Sequence, residues 1–400
     1  MKSDTPVILF GAFDRHNFGD LLFPHLLAAM LPGRIVGFAG LAPRDLRAFG
    51  GHRVSPLDGR AAHLVHVGGE LLTCTAWQAA VMLLDSGRAA DAIARYDADP
   101  AAAAAWAARQ LDLSRRMPYV VGRDALTPGG ALIFNAVGGV EWAALDTAQR
   151  VELRAALAGA DWLSVRDRLT RDALRAEGIE ASLCPDPAVM VRACFAETIE
   201  ARQRRGAPRA MQEAFPTGYL ACQFSAEFGD DASLDALASG LARIHRETGL
   251  GVALFRAGSA PWHDDASCLE RLARRLPSRA VRIFDSLNLW DICALIAASR
   301  GVVASSLHAR IVALAYALPR VSLISPQQGA RPGKTAAFAG TWEPAELPGS
   351  AEVGAVAPAF AQALAVPDDV LRDCATDLRA AYLESQAGWM HLLRPSDPGQ

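Results

Sequence analysis

The feature that most constrains this chain is an alternation, run through twice, of short apolar strands with stretches of helical length. The first series opens at Val7–Phe10 and continues through HLVHV (63–67), ALIFNAVGG (131–139), DWLSV (161–165) and ASLC (181–184). Helical stretches separate these runs: about 21–31, stopped by Pro32; 76–84; the alanine-rich 88–117, broken at Pro100; and one that Asp167 caps and Gly178 ends. The second series is YLACQFS (219–225), GVALFRA (251–257), AVRIFDS (280–286), GVVASS (301–306) and RVSLIS (320–325). Helices are expected between them near 233–247, 265–276, 289–299 and 308–318. Strands and helices in this order build parallel sheets with helices on both faces.

Two such series, separated by a polar interval without strand pattern at 196–216, predict an α/β chain of two Rossmann-like domains facing a cleft. The expected bounds are 1–200 and 215–345, with C-terminal helices over 346–400. Four hundred residues exceed what one core usually serves, and 51% hydrophobic with 21% charged residues supplies two. The same figures exclude collagen-like and disordered classes. A net charge of −3 gives no basic footprint for nucleic acid. Lysine occurs only as Lys2 and Lys334, so 38 of the 40 basic residues are arginine; an isolated arginine says little here, an arginine at a strand end more. Seven scattered cysteines without a C-x-x-C pair argue against a zinc site or disulfide framework and fit a cytoplasmic protein. The apolar start runs into Asp14 and Arg15, which suits a strand better than a signal peptide, and no stretch is long enough to span a membrane. A soluble protein is expected.

Ligands of open parallel sheets bind outside the carboxyl ends of the strands, which selects Asn17, Asp20, Gly68, Gly69, Glu70, Arg166, Asp186, Arg256, His308 and the loop after Ser325. His308 falls where a strand turns into a helix capped by Ser305 and Ser306. A helix start favours anions, and a histidine there can move a proton beside one; the plainer alternative is a histidine bonded to a nearby carbonyl. Arg166 in SVRD can fork two anionic oxygens, or form an ion pair with Asp167 or Asp186. Asp186, between two prolines, can orient a cation or hydroxyl, or simply make a turn. In NFGD, Gly19 permits close approach and Asp20 reads most simply as an N-cap; Gly68–Gly69 lets a ligand near the backbone. No Walker, G-x-G-x-x-G or H-E-x-x-H pattern occurs, so neither ATP, NAD nor a metal is expected. Asp264 and Asp265 read as an exposed acidic pair. Arg202, Arg204, Arg205 and Arg209 read as a solvated linker face, with anionic lipid headgroups at a membrane periphery as the alternative partner.

Taken in order, GAFDRHNFGD, HVGGELL, SVRDRLTRDALRAEGI, CPDPAVM, SSLHARIVALAYALPRVSL and GKTAAF resemble the polysaccharide pyruvyl transferase family, over about residues 7–345. The resemblance implies a GT-B-like fold. It also implies transfer of pyruvate from phosphoenolpyruvate onto two hydroxyls of a sugar or lipid-linked oligosaccharide acceptor, forming a cyclic ketal without a further cofactor. By resemblance His308 is the acid and Asp20 a second catalytic candidate. Arg166, Ser306, Leu307, Arg310, Arg331 and Lys334 would meet the donor; Asn17, Gly19, Gly68, Gly69 and Glu70 would face the acceptor. The family usually carries arginine directly before its Leu-His pair, where this chain has Ser306. Arg310, four residues on, is expected to reach the same face if it has taken over that contact. The alternatives are a GT-B-type glycosyltransferase using a nucleotide sugar, and a catalytically weak ligand-binding protein of the same fold.

Overall fold

The first half of the chain forms strands Val7–Phe10 (β1), Val36–Gly40 (β2), Arg44–Asp45 (β3), Arg53–Pro56 (β4), Ala61–His66 (β5), Leu126–Val137 (β6), Trp162–Val165 (β7) and Ser182–Leu183 (β8). They make one eight-stranded sheet in the order β3-β4-β2-β1-β5-β6-β7-β8, parallel except for the β3–β4 edge. The second half gives Tyr219–Gln223 (β9), Gly251–Phe255 (β10), Val281–Phe284 (β11), Val302–Ala304 (β12), Arg320–Leu323 (β13) and Ser350–Ala351 (β14). These form a parallel six-stranded sheet in the order β11-β10-β9-β12-β13-β14. Every residue of β9, β10 and β12 is buried, as a strand covered by helices on both faces requires.

This computed structural model describes residues 5–57, 59, 61–325 and 332–393. The chain falls into two units: residues up to His16, Asp20–Pro187 and from Ala380 onward in the first, Asn17–Gly19 and Ala188–Arg379 in the second. Strand order reverses between β1 and β5 in the first sheet and between β9 and β12 in the second. At such a switch point neighbouring loops diverge and leave a crevice for ligand.

Several expectations are corrected. The interval 196–216 is helical, Val191–Gln203 and Gly206–Ala214, and belongs to the second unit. Three of its arginines pair with acids, Arg202 with Asp291 (3.1 Å), Arg204 with Glu200 (3.3 Å) and Arg209 with Glu213 (2.7 Å), while Arg204, Arg205 and Arg209 are exposed, as a solvated face requires. The C-terminal helices, expected over 346–400, are divided between the two units at Arg379 and Ala380. Val356–Ala365 buries Val356, Ala357, Phe360 and Ala363 in the second core, while Tyr382 joins the first unit, its hydroxyl accepting from Asn135 Nδ2 at 3.1 Å. Pro100 begins a helix, Pro100–Leu111, because Asp99 caps the Ala101 and Ala102 amides. No helix among the described residues is long and apolar enough to cross a membrane.

Candidate active site

His308 is the second residue of the helix Leu307–Ala315, which begins just beyond β12 at the switch point of the second sheet. Ser306 is the N-cap: its Oγ accepts from the Ala309 amide at 3.3 Å, and Leu307 is buried beside it. Ser305 does not cap; its Oγ accepts instead from the Ser225 amide at 3.0 Å, beyond β9. The imidazole is 8% exposed and meets Phe18 edge-on with ring centroids 6.2 Å apart. Gly19 lies flush against it: a Cβ there would sit 1.9 Å from His308 Nδ1 and 2.1 Å from Cγ. The close approach read from NFGD is therefore an approach to His308.

Asn17 and Phe18 are seated by the loop after β10. The Phe18 amide donates to the Ala257 carbonyl at 2.8 Å, and Asn17 bridges Gly258. Asn17 Oδ1 accepts the Gly19 amide at 3.0 Å, so Asn17 serves the helix start and Asp20 stands in its first turn rather than capping it. The same loop delivers Asp264, which is not the exposed residue expected. Its Oδ2 accepts the Ala257 amide at 2.5 Å, the Gly258 amide adds a further bond, and Oδ1 accepts from Gln223 Nε2 at 2.7 Å. Desolvation raises this carboxyl to about 7 in spite of those bonds and of Arg256 nearby. Gln223, at the end of β9, then accepts the Ser306 amide on Oε1 at 2.8 Å. Asp265 is exposed and caps the next helix. Gln223 and Asp264 are the residues the sequence reading missed; only their places after β9 and β10 could have flagged them.

In the first unit Arg166, 2% exposed, lies between two carboxylates. It donates to Glu70 Oε2 at 2.5 Å and to Asp186 Oδ2 at 3.1 Å, and Asp186 is wholly buried. Glu70 Oε1 also accepts the Val140 amide (2.7 Å) and the Thr73 hydroxyl (3.1 Å). Gly138 leaves room for the pair: a Cβ would fall 2.5 Å from Glu70 Oε2 and 2.8 Å from Arg166 Nε. Asp167, expected as a cap, accepts the Thr170 amide at 2.7 Å. Gly68 and Gly69 turn with φ of 114° and 90°, which glycine alone adopts cheaply. Asp20 pairs with Arg15 at 3.5 Å, and a Cβ on Gly69 would be 3.3 Å from its Oδ1. With Asp20, Glu70, Asp167 and Asp186 against Arg15 and Arg166, this constellation carries more carboxylates than guanidiniums. Arg166, expected either to fork the donor's anionic end or to pair with Asp167 or Asp186, is here in the ion pair with Asp186, which Glu70 joins.

The expectation for Arg310 is corrected. Every one of its N–H groups is spent inside the second unit: Nε and Nη2 on Glu343 (both 2.7 Å), Nη1 on Ser322 Oγ (3.2 Å) and the Gly349 carbonyl (2.9 Å), and Nη2 again on the Pro348 carbonyl (3.3 Å). It is 1% exposed and cannot replace an arginine at position 306. Arg320 completes the group, donating to Glu343 at 3.1 Å. Lys334 is exposed at the first position of Lys334–Trp342, Arg256 is half-buried after β10, and the loop after Ser325, with Arg331, lies outside the described residues. Among the described residues no cluster of acids, histidines and cysteines has the makings of a metal site.

Two Rossmann-like sheets of this order, each reversing its strand order once, give the chain a GT-B-type fold. A family model, polysaccharide pyruvyl transferase, matches residues 124–325, half of the chain, and the chain belongs to that family. The matched span contains Arg166, Asp186, Gln223, Asp264, Ser306 and His308. No curated protein matches the sequence. Solved structures share its fold: MnaA of Staphylococcus aureus with UDP (TM-score 0.51, 13% identity, 99% of this chain and 100% of that one); the UDP-GlcNAc 2-epimerase of Methanocaldococcus jannaschii (0.51, 11%, 91% and 92%); and the trehalose 6-phosphate synthase of Burkholderia multivorans (0.50, 13%, 98% and 98%). At these identities the likeness is one of fold.

Proposed function

We propose that the protein transfers pyruvate from phosphoenolpyruvate onto two hydroxyls of a sugar in a polysaccharide or lipid-linked oligosaccharide, in the cytoplasm. His308 gives a proton to the methylene carbon of the donor, leaving an oxocarbenium-like centre at the neighbouring carbon. One sugar hydroxyl adds there and loses its proton to a base. Phosphate leaves, and the second hydroxyl closes the ketal. Among the first unit's acids, Asp20 and Glu70 are the candidates to receive the hydroxyl protons and hold the acceptor. The positive end of the helix Leu307–Ala315, with Arg256 and Lys334, would receive the donor's phosphate and carboxylate.

The observation that carries this reading is the seating of His308 at an anion-favouring helix start on the switch point, within the span matched by the family. Replacement of His308 by alanine should lower turnover by about 10²–10⁴ while phosphoenolpyruvate still binds. Undiminished turnover in that variant would remove His308 from the chemistry.

A further inference from the structure

Both flanks of His308 trace back to one carboxylate. On one side Asp264 Oδ2 holds the Ala257 amide, and the Ala257 carbonyl takes the Phe18 amide, which sets Gly19 against the imidazole. On the other side Asp264 Oδ1 takes Gln223 Nε2, and Gln223 Oε1 takes the Ser306 amide at the cap of the His308 helix. The loop that brings Asp264 here is strained: Trp262 sits at φ 64°, a left-handed conformation costly for a bulky residue and retained where surrounding bonds over-determine it.

The polarity of this chain leaves no freedom. The Ser306 amide can only donate, so Gln223 must face it with oxygen and turn its NH₂ toward position 264. The Ala257 and Gly258 amides can only donate as well. The group at 264 must therefore accept on both sides, which an ionised carboxylate does with every lone pair; an amide cannot, and a protonated acid brings an O–H donor among groups that only donate. We propose that Asp264, ionised, is the positioning residue for His308, fixing through Gln223 and Ala257 the two elements between which the imidazole stands. This rests on the assignment of His308 as the proton donor. The charged side chain set against Asp264 is Arg256. Because burial brings the carboxyl to about 7, the positioning should weaken as pH falls through that value.

The test exchanges the two groups. In the full chain, Asp264→Asn opposes two donors somewhere along the chain, and Gln223→Glu opposes two carboxylates. The double variant Asp264→Asn/Gln223→Glu restores an acceptor at every donor, because the new carboxylate accepts both from the Ser306 amide and from the new amide. Each single variant should speed hydrogen exchange of the Ser306 amide about tenfold, the worth of one buried hydrogen bond, and lower kcat with little change in KM for phosphoenolpyruvate. The double variant should recover both readouts, at an unchanged melting temperature. Wild-type exchange and kcat in the single variants, or single-variant behaviour in the double variant despite a wild-type melting temperature, would overturn the proposal. If the wild type itself fails to bind phosphoenolpyruvate, pyruvyl transfer is refuted, whereas the exchange rates at Ser306 still decide the role of Asp264.

Discussion

Gly19→Ala separates the needs of the helix from those of the active site. In a helix the substitution by itself is favourable by about 1 kcal/mol, so a purely structural view expects a slightly more stable protein. The new Cβ, however, would fall 1.9 Å from His308 Nδ1 and 2.1 Å from Cγ. Cγ is the root of the ring and not a flexible tip, so the imidazole must swing away as a body, by about 1 Å or more. Misplacement of that size costs on the order of 10² in rate, against an acid–base contribution of about 10²–10⁴. The expected result is a fall of about 10² in kcat with a melting temperature close to wild type. The assay is phosphate release from phosphoenolpyruvate with whichever member of a panel of sugar acceptors supports wild-type turnover. Wild-type kcat in a folded Gly19→Ala protein would refute the placing of His308 at the reacting carbon.

Glu343→Gln leaves Arg310 and Arg320 without their shared carboxylate and should destabilise the fold by about 3–5 kcal/mol, as breaking a buried pair does. Burial alone would raise the Glu343 carboxyl, but Arg310 and Arg320 hold it at about 2, below its unfolded value of 4.5; its contribution is full above 4.5 and fades as pH falls toward 2, an acid limb that a urea titration should show in the wild type and not in the variant. Ser306→Arg forfeits an N-cap worth about 1 kcal/mol, yet it should tighten phosphoenolpyruvate, because Arg310 is fully engaged elsewhere; calorimetry showing weaker binding would contradict that. Arg166→Ala strands the buried Asp186 and should cost about 3–5 kcal/mol in chemical denaturation without changing phosphoenolpyruvate affinity in the folded protein; a weakened affinity would return Arg166 to the donor.

Most of both sheets was legible because strands such as Tyr219–Gln223 and Gly251–Phe255 are apolar runs buried along their whole length. The short strands Val36–Gly40 and Arg53–Pro56 escaped because they are glycine-, proline- or arginine-bearing and are held by pairing with β1 and β2. The helices of 191–214 escaped because Pro208 and a run of arginines imitate a linker. His308 and its cap were readable, since a strand end followed by Ser-Ser and an apolar run states its own geometry. Asp264 was not: WHDD looks like any polar loop, and its burial is fixed by Gln223, forty-one positions earlier, and by the backbone of Ala257. Arg310 misled for the complementary reason. Its helical position suggested a reach toward residue 306, but Glu343, thirty-three residues on, claims the guanidinium.

The most direct test of pyruvyl transfer with His308 as the acid is to run the reaction in D₂O and examine the ketal methyl group by mass spectrometry and NMR. Protonation of the donor's methylene carbon predicts one solvent deuterium in that methyl group for each phosphate released, with both lost together in His308→Ala. A product without deuterium, or turnover of a nucleotide sugar while phosphoenolpyruvate remains untouched, would contradict it.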